Sequence, residues 1–600
     1  MAARWLAFTV GLAACVLFGD SLRLSAAQWI LLALAAAATL LRPSRLWLLR
    51  RLRRWRHPSP RSRTSIAVRV GLGAGIFFVL VALKVGRDLG LAWHDEHSYA
   101  IQIRQLMAGR LWGPGHPLHD FFDSHYVLTE GVYASMYFPG TALLHLPGAL
   151  LGLPFWVTSI LISAAAAALI YRIVCELTDG LTGLLAALLF VSVPEVQHMS
   201  VMLMSHIPII VLGGVLLWAW LRWRASGRAG WAGIMGLTAG WMMITRPVDG
   251  LAIVLGVLVG LVPDLWERQG MIARRAVAAG VLGMVPFLAL QLSVNRHVTG
   301  SATTFPHEYY VSRDFPGAEF GFHELHEDVE PRSVVPQKRF FYRVWAAPRI
   351  EYHDSSRLWQ EWREYRGRTT MKAWAAHPFL FALLPLGVFG LRDRRRLAAV
   401  LSIPGFLALY ALYCFYPPHY PIVVLLAATT MMALGVREVP RAWRASRGAL
   451  RVFGLLAALA IAIGAWPFFD DRSVVRELDV SELRRIDETL RRLPHKPAIV
   501  LFRWHPRLNP HVEPVYNTDV AWPDDALVIR AHDLGEKNVE LIEYYVRTQP
   551  QRHLYLLDRG RGRLWYFGSV ADVLDGMRRQ EASGIAGDGE PGIGAAESSL

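Results

Sequence analysis

Two adjacent carboxylates, Asp95 and Glu96, stand in the run His94-Asp95-Glu96-His97-Ser98-Tyr99-Ala100, directly after an apolar block. An amphipathic stretch with Arg104 follows, Ile101 to Trp112. Acids in this position suit two tasks. They cap a helix N-terminus, whose N–H groups and dipole favour negative charge. Alternatively, they present acid groups to a substrate at the membrane boundary. At the outer end of a membrane span, such an acid stands where a lipid-borne substrate would surface.

Arg meets phosphate oxygens in a bidentate fashion, so an Arg placed where topology disfavours it is a candidate phosphate ligand. Arg246 in Thr245-Arg246-Pro247 and Arg296 in Asn295-Arg296-His297 fall at predicted outer ends of spans, where Arg is disfavoured; Arg104 is a third candidate. Snorkelling of a long side chain to the interface explains the same placement without chemistry. Tyr99, Ser205-His206 and Pro418-His419-Tyr420 face the same side and read as lining of a substrate cavity. Histidines gather in two outer loops: His94, His97, His116, His119 and His125, then His307, His323 and His326, with Asp120, Asp123 and Glu327 nearby. These residue types bind divalent metals, but their spacing matches no ligand motif, so a metal cofactor stays open.

The elements that must hold these groups are legible from composition. The 600 residues are 53% hydrophobic and 18% charged, with apolar blocks of about 15 to 20 residues, close to the ~20 needed to cross a bilayer. Thirteen blocks read as spans, near 5–19, 24–41, 70–86, 155–174, 179–195, 203–222, 229–245, 248–264, 276–293, 373–391, 396–414, 419–436 and 449–467. The short stretch 138–153, broken by Pro139, Pro147, Gly148 and Gly152, reads as a half-buried segment, because a crossing there would put every later basic cluster outside. The net charge of +15 does not form a nucleic-acid footprint. Ten Arg and no acid lie between Arg42 and Arg69, and further clusters sit at 222–228, 274–275, 392–396 and 437–451, each at the end of an apolar block. Cys15, Cys175 and Cys414 lie within or at the ends of apolar blocks, with no disulfide framework.

The pattern Asp-Glu-x-x-Tyr-Ala, then Arg, Met and Gly109-Arg110-Leu111-Trp112, with Tyr137-Phe138-Pro139-Gly140-Thr141 leading into the next span, resembles the first periplasmic loop of polyprenyl-phosphate-sugar glycosyltransferases. These GT-C membrane enzymes include the lipid A aminoarabinose transferase and the protein O-mannosyltransferases. The resemblance implies that Asp95 is the general base, assisted by Glu96, and that an acceptor hydroxyl displaces a lipid phosphate from the sugar with inversion. The aminoarabinose transferase has an acidic-basic pair before the proline matching Pro139. Tyr137 and Phe138 stand there in this chain, so that pair's metal- or phosphate-holding role is not carried over.

The expected architecture is an all-α polytopic bundle of about 13 transmembrane helices with a C-terminal soluble α/β domain. Two spans and a basic cytoplasmic loop occupy 1–69. A GT-C-like core with outer loop 87–137 fills 70–300, a large extracytoplasmic loop 301–372, and further spans 373–467. An extracytoplasmic α/β domain follows at 468–581, read from runs at 498–502, 526–529 and 553–557 around a helix near 538–546, and then a disordered tail, 582–600. The expected partners are a polyprenyl-phosphate-linked sugar, membrane lipids and a hydroxyl-bearing acceptor, in the plasma (inner) membrane. The competing class is a transporter or flippase for a lipid-linked sugar, but no internal repeat or matched broken helices support it.

Overall fold

Each apolar block coincides with helix, as expected where backbone N–H and C=O groups find no water to bond. The computed structural model describes residues 2–19, 22–86, 89–325, 330–442, 447–471, 480–582 and 596–599, and over these the chain is mostly helical. By length and composition six helices can each cross a membrane: Pro60–Val85, Phe155–Leu177, His206–Ser226, Pro247–Arg268, Gly270–Thr299 and Pro421–Arg441. Two bent pairs raise the number to eight if each is one span: Ala26–Leu40 with Arg42–Arg53, bent by 94°, and Ser355–Trp374 with Pro378–Gly390, bent by 89°. The other expected spans are shorter or broken helices. Ala2–Phe18, Gly180–Ser192 and Val452–Gly464 are apolar but short, 229–245 is the 15-residue helix Ala229–Met243, and 396–414 divides into Arg394–Val400 and Ser402–Tyr410. The stretch 138–153 contains the 11-residue helix Gly140–Leu150 with Pro147 inside. At 1.5 Å per residue it is too short for a ~30 Å hydrocarbon core.

Local signals set the helix ends. Ser59 caps Pro60–Val85, accepting the Ser62 N–H at 3.2 Å, with Pro60 at the first position and Gly86 at φ 66° closing the other end. Packing between spans uses small residues, which let backbones approach where apolar side chains gain nothing over lipid. A Cβ on Gly283 would stand 2.4 Å from the Gly233 carbonyl oxygen, so Gly270–Thr299 lies directly against Ala229–Met243. Its opposite side, including Leu282 at 71% exposure, is left to the lipid.

The basic joints converge. Arg56 and Arg437 reach Asp179 at 3.3 and 3.2 Å, Arg172 and Arg222 share Glu176, and Arg396 donates to the Leu177 carbonyl at 3.0 Å. Arg394 lies 2.5 Å from Glu267 and Arg224 3.1 Å from Asp264. Clusters hundreds of residues apart in sequence therefore form one charged face at one end of the bundle.

Residues 481–582 build a second layer arrangement. Ala498–Arg503 pairs parallel with both Val528–His532 and His553–Asp558, and Arg563–Ser569 pairs antiparallel with the latter. The run Ala498 to Phe502 is continuously apolar because both its faces are covered. Ile499 and Leu501 pack with Leu541 and Tyr545 of Asn538–Thr548, while Val500 and Phe502 pack with Ile486 and Leu490 of Ser481–Arg491. The antiparallel fourth strand was not read from the sequence. Of the tail expected to be disordered, Ala596–Ser599 pairs at the sheet edge, and residues 583–595 and 600 lie outside the described residues. Phe121 and Phe122, in the segment between His94–Met107 and Gly140–Leu150, join this core, and His116 lies 3.1 Å from Asp524, so that segment and the sheet pack together.

Candidate active site

His206–Ser226 and Pro247–Arg268 end at the basic face and begin at a cavity of about 510 Å³. The loop helix His94–Met107 also begins there, so three helix N-termini with their positive dipole ends meet the same space. Asp95, Tyr99, Tyr137, Ser205, Arg246 and Asp249 line it, together with Phe138, Phe305, Phe320, His307, Glu308, Glu319 and three tyrosines, Tyr410, Tyr413 and Tyr420.

The two adjacent acids separate. Glu96 is 2% exposed and does not line this cavity; it accepts the Ala92 and Trp93 N–H groups at 3.0 and 3.2 Å and the Leu203 N–H at 3.0 Å. It thus caps the loop helix and ties it to the segment before His206–Ser226. Asp95 turns into the cavity, where Oδ1 accepts the Tyr137 hydroxyl at 2.6 Å. Burial pushes the Asp95 carboxyl above the ordinary carboxylate value, against the downward pull of the Tyr137 hydrogen bond and of the Arg246 charge.

Arg246 caps Pro247–Arg268, with Pro247 at the first helical position. Its Nε donates to Asp249, one terminal nitrogen to Ser205 Oγ at 3.2 Å and the other to the Tyr410 hydroxyl at 3.0 Å, over the Tyr420 ring at 5.0 Å. Three of the five guanidinium N–H groups are thereby engaged, which leaves one on each terminal nitrogen for a ligand. Asp249, buried and also accepting from Tyr410 at 3.1 Å, fixes the plane of the fork.

The other candidates lie elsewhere. Arg296 is exposed at the end of Gly270–Thr299 and bonds the Gly300 carbonyl; Arg104 donates to the Thr518 carbonyl at 3.3 Å; neither lines the cavity. Tyr99 and Tyr420 line it, whereas His206 and His419 are buried behind it, their rings 4.7 Å apart. Among the described residues no group of three His, Cys, Asp or Glu could hold a metal ion, and His326 and Glu327 lie outside the described residues. Sequence reasoning passed over Asp249, Tyr410, Tyr413, Glu308 and Glu319. Asp249 carried a signal, since a carboxylate in the first turn of an apolar helix requires a partner, and Arg246 is three residues before it.

These features define a polytopic membrane protein with a polar, cation-bearing cavity at the end of its bundle away from the basic joints. Residues 142–291 match the model of the dolichyl-phosphate-mannose-protein mannosyltransferase family, a stretch that includes Ser205, Arg246 and Asp249. Over this stretch the chain is similar to the protein mannosyltransferases, among the enzymes that residues 94–141 resemble. No curated protein sequence matches the chain. Among solved structures, ArnT from Cupriavidus metallidurans bound to undecaprenyl phosphate overlaps at a TM-score of 0.42 with 13% identity, over 83% of this chain and 93% of that one. Its apo state gives 0.41 and 15%, over 81% and 93%. The apo oligosaccharyltransferase of Archaeoglobus fulgidus gives 0.38 and 13%, over 72% of this chain and 62% of that one.

Proposed function

We propose that the chain is an inverting glycosyltransferase that moves a sugar from a polyprenyl-phosphate carrier to a hydroxyl on a lipid, glycan or protein at the extracytoplasmic face of the plasma membrane. The observation that carries this reading is that Asp95 and Arg246, 151 residues apart in sequence, line one cavity. The family matched over 142–291 takes its name from a sugar donor of the same lipid-phosphate kind. Asp95 takes the acceptor proton as the acceptor oxygen attacks the anomeric carbon. The bond from that carbon to the phosphate oxygen breaks, and the electron pair leaves with the lipid phosphate. Charge growing on that phosphate meets the two unengaged N–H groups of Arg246 and the helix N-termini at Ser205 and Arg246. Glu96 serves by holding the helix that carries the base.

In this reading the basic joints are cytoplasmic, the cavity and the 481–582 sheet are extracytoplasmic, and the chain crosses about thirteen times. Purified protein is incubated with polyprenyl-phosphate-linked sugars and with the remaining membrane lipids and glycans as hydroxyl acceptors, both extracted from the cells that make it, and release of polyprenyl phosphate is followed. Wild-type release that falls at least ~10²-fold in Asp95→Asn supports the reading; normal release from Asp95→Asn overturns it.

A further inference from the structure

Tyr137 stands where the sequence departs from the aminoarabinose transferase, and its phenol is fixed with respect to Asp95. Its N–H donates to Ser135 Oγ at 3.0 Å, and its carbonyl accepts from Gln102 Nε2 at 3.0 Å. Ser135 Oγ in turn lies 2.7 Å from Ser98 Oγ. Ser98 and Gln102 belong to His94–Met107, so the backbone that carries the phenol is bonded to the helix that carries the acid. The Tyr137 ring stacks on Tyr99 at 4.7 Å and 21° and meets Tyr126 edge-on at 5.8 Å and 69°. Tyr126 is itself held at φ 63°, a conformation side chains rarely adopt, with its N–H donated to the Tyr310 hydroxyl at 2.9 Å. The 2.6 Å contact of the Tyr137 hydroxyl with Asp95 Oδ1 has the length of a charge-assisted O–H···O⁻ bond.

We propose that Tyr137 is a positioning residue for sugar transfer: its hydroxyl occupies Oδ1 of Asp95 and leaves Oδ2 to receive the acceptor's proton. This rests on the reading of Asp95 as base. Among the described residues no other side chain hydrogen-bonds Asp95. The phenol therefore sets which carboxylate oxygen faces the acceptor, and by donating to the ionised form it keeps a buried acid available as a base. In the transfer step the acceptor O–H proton passes to Oδ2, the acceptor oxygen bonds the anomeric carbon, and the phosphate leaves with the broken bond's electron pair. The Tyr137 proton stays on its own oxygen throughout.

The test uses Tyr137→Phe in the full-length chain, which keeps the ring packing and removes only the donor. Infrared titration follows the Asp95 carboxyl band, identified by its loss in Asp95→Asn, and needs no substrate. Release of polyprenyl phosphate from membrane-extracted lipid-linked sugars, with the extracted membrane lipids and glycans present as acceptors, gives kcat and KM against pH. In Tyr137→Phe the Asp95 midpoint is expected to rise by about one unit, the acid limb of kcat to move with it, and kcat to fall about 10-fold, with donor KM within about twofold. Ser135→Ala, which loosens the same backbone without touching the hydroxyl, is expected to shift the midpoint less and in the same direction, and it serves if the Phe variant is not recovered. An unchanged Asp95 midpoint and kcat in these variants overturns the positioning role. Normal turnover in Asp95→Asn removes the underlying base instead, an outcome distinct from the first.

Discussion

The Tyr516 hydroxyl lies 3.0 Å from His94 Nδ1, although 422 residues separate the two in sequence. It donates to the His125 carbonyl at 3.1 Å, which spends its one proton, so His94 Nδ1–H is the donor in the contact with it. The Tyr516 ring also stacks on His97 at 4.4 Å and 2°. A residue of the C-terminal part is thus packed against the turn that presents Asp95. Tyr516→Phe is expected to cost about 1–3 kcal/mol, because two buried polar groups lose their partner. Tyr516→Ala is expected to cost roughly 3–5 kcal/mol by leaving a cavity. Denaturant unfolding measures both, and turnover is expected to fall with the Ala variant.

The histidines around that contact are held neutral. Burial lowers His94 and His125 well below the ordinary histidine value, takes His97 down to about 3, and lowers His532. A group whose folded value is depressed binds its proton only in the unfolded chain over the interval between the two values. Stability therefore rises with pH across that interval and is lost as pH falls below about 6.5. Thermal unfolding of the detergent-solubilised protein is expected at lower temperature at pH 5 than at pH 7.5. His97→Gln is expected to reduce the difference.

Asp95 and Glu96 are expected to fail differently when changed. Asp95→Asn lowers turnover by ~10² to ~10⁴ while donor binding persists, the signature of a lost general base. Glu96→Gln keeps an acceptor for the Leu203 N–H but loses its charge at the helix N-terminus, so its main effect is a stability loss of about 1–2 kcal/mol. Turnover and unfolding measured side by side on both variants separate the roles. Asp95 is raised by burial, so the acid limb of wild-type turnover is expected above the ordinary carboxylate range.

Arg246 and Arg296, equivalent on sequence grounds, are expected to differ. Arg246→Gln leaves Asp249 buried without its cation and costs roughly 3–5 kcal/mol. The double change Arg246→Gln with Asp249→Asn is expected to restore folding without restoring donor affinity. Arg296→Gln, at an exposed helix end, is expected to leave both unchanged. Binding of polyprenyl phosphate by the purified variants checks this.

With the proposed thirteen crossings, a chain that begins inside ends outside. Compartment-sensitive reporters fused to each end are expected to report opposite sides of the membrane; a cytoplasmic carboxyl end would change both the count and the placement of 138–153.

Runs of apolar residues bounded by Arg carry the helical bundle in the sequence, because a backbone in lipid has no alternative to bonding itself and Arg stays near the side it starts on. The strand Ala498–Arg503 and the helix after Val528–His532 were legible for a different reason, since local period and run length suffice for elements of that size. Tertiary structure alone decided what adjacent residues do. Asp95 and Glu96 have the same chemistry and neighbouring positions, but one rotates into a cavity and the other onto three backbone N–H groups. Arg246 and Arg296 both end apolar runs, yet only the first meets Asp249, Ser205 and Tyr410, which come from three different helices or helix ends. Such assignments depend on which helix faces packing brings together, and no local pattern of residues encodes the contacts of Arg246 with Ser205 and Tyr410, 41 and 164 residues away.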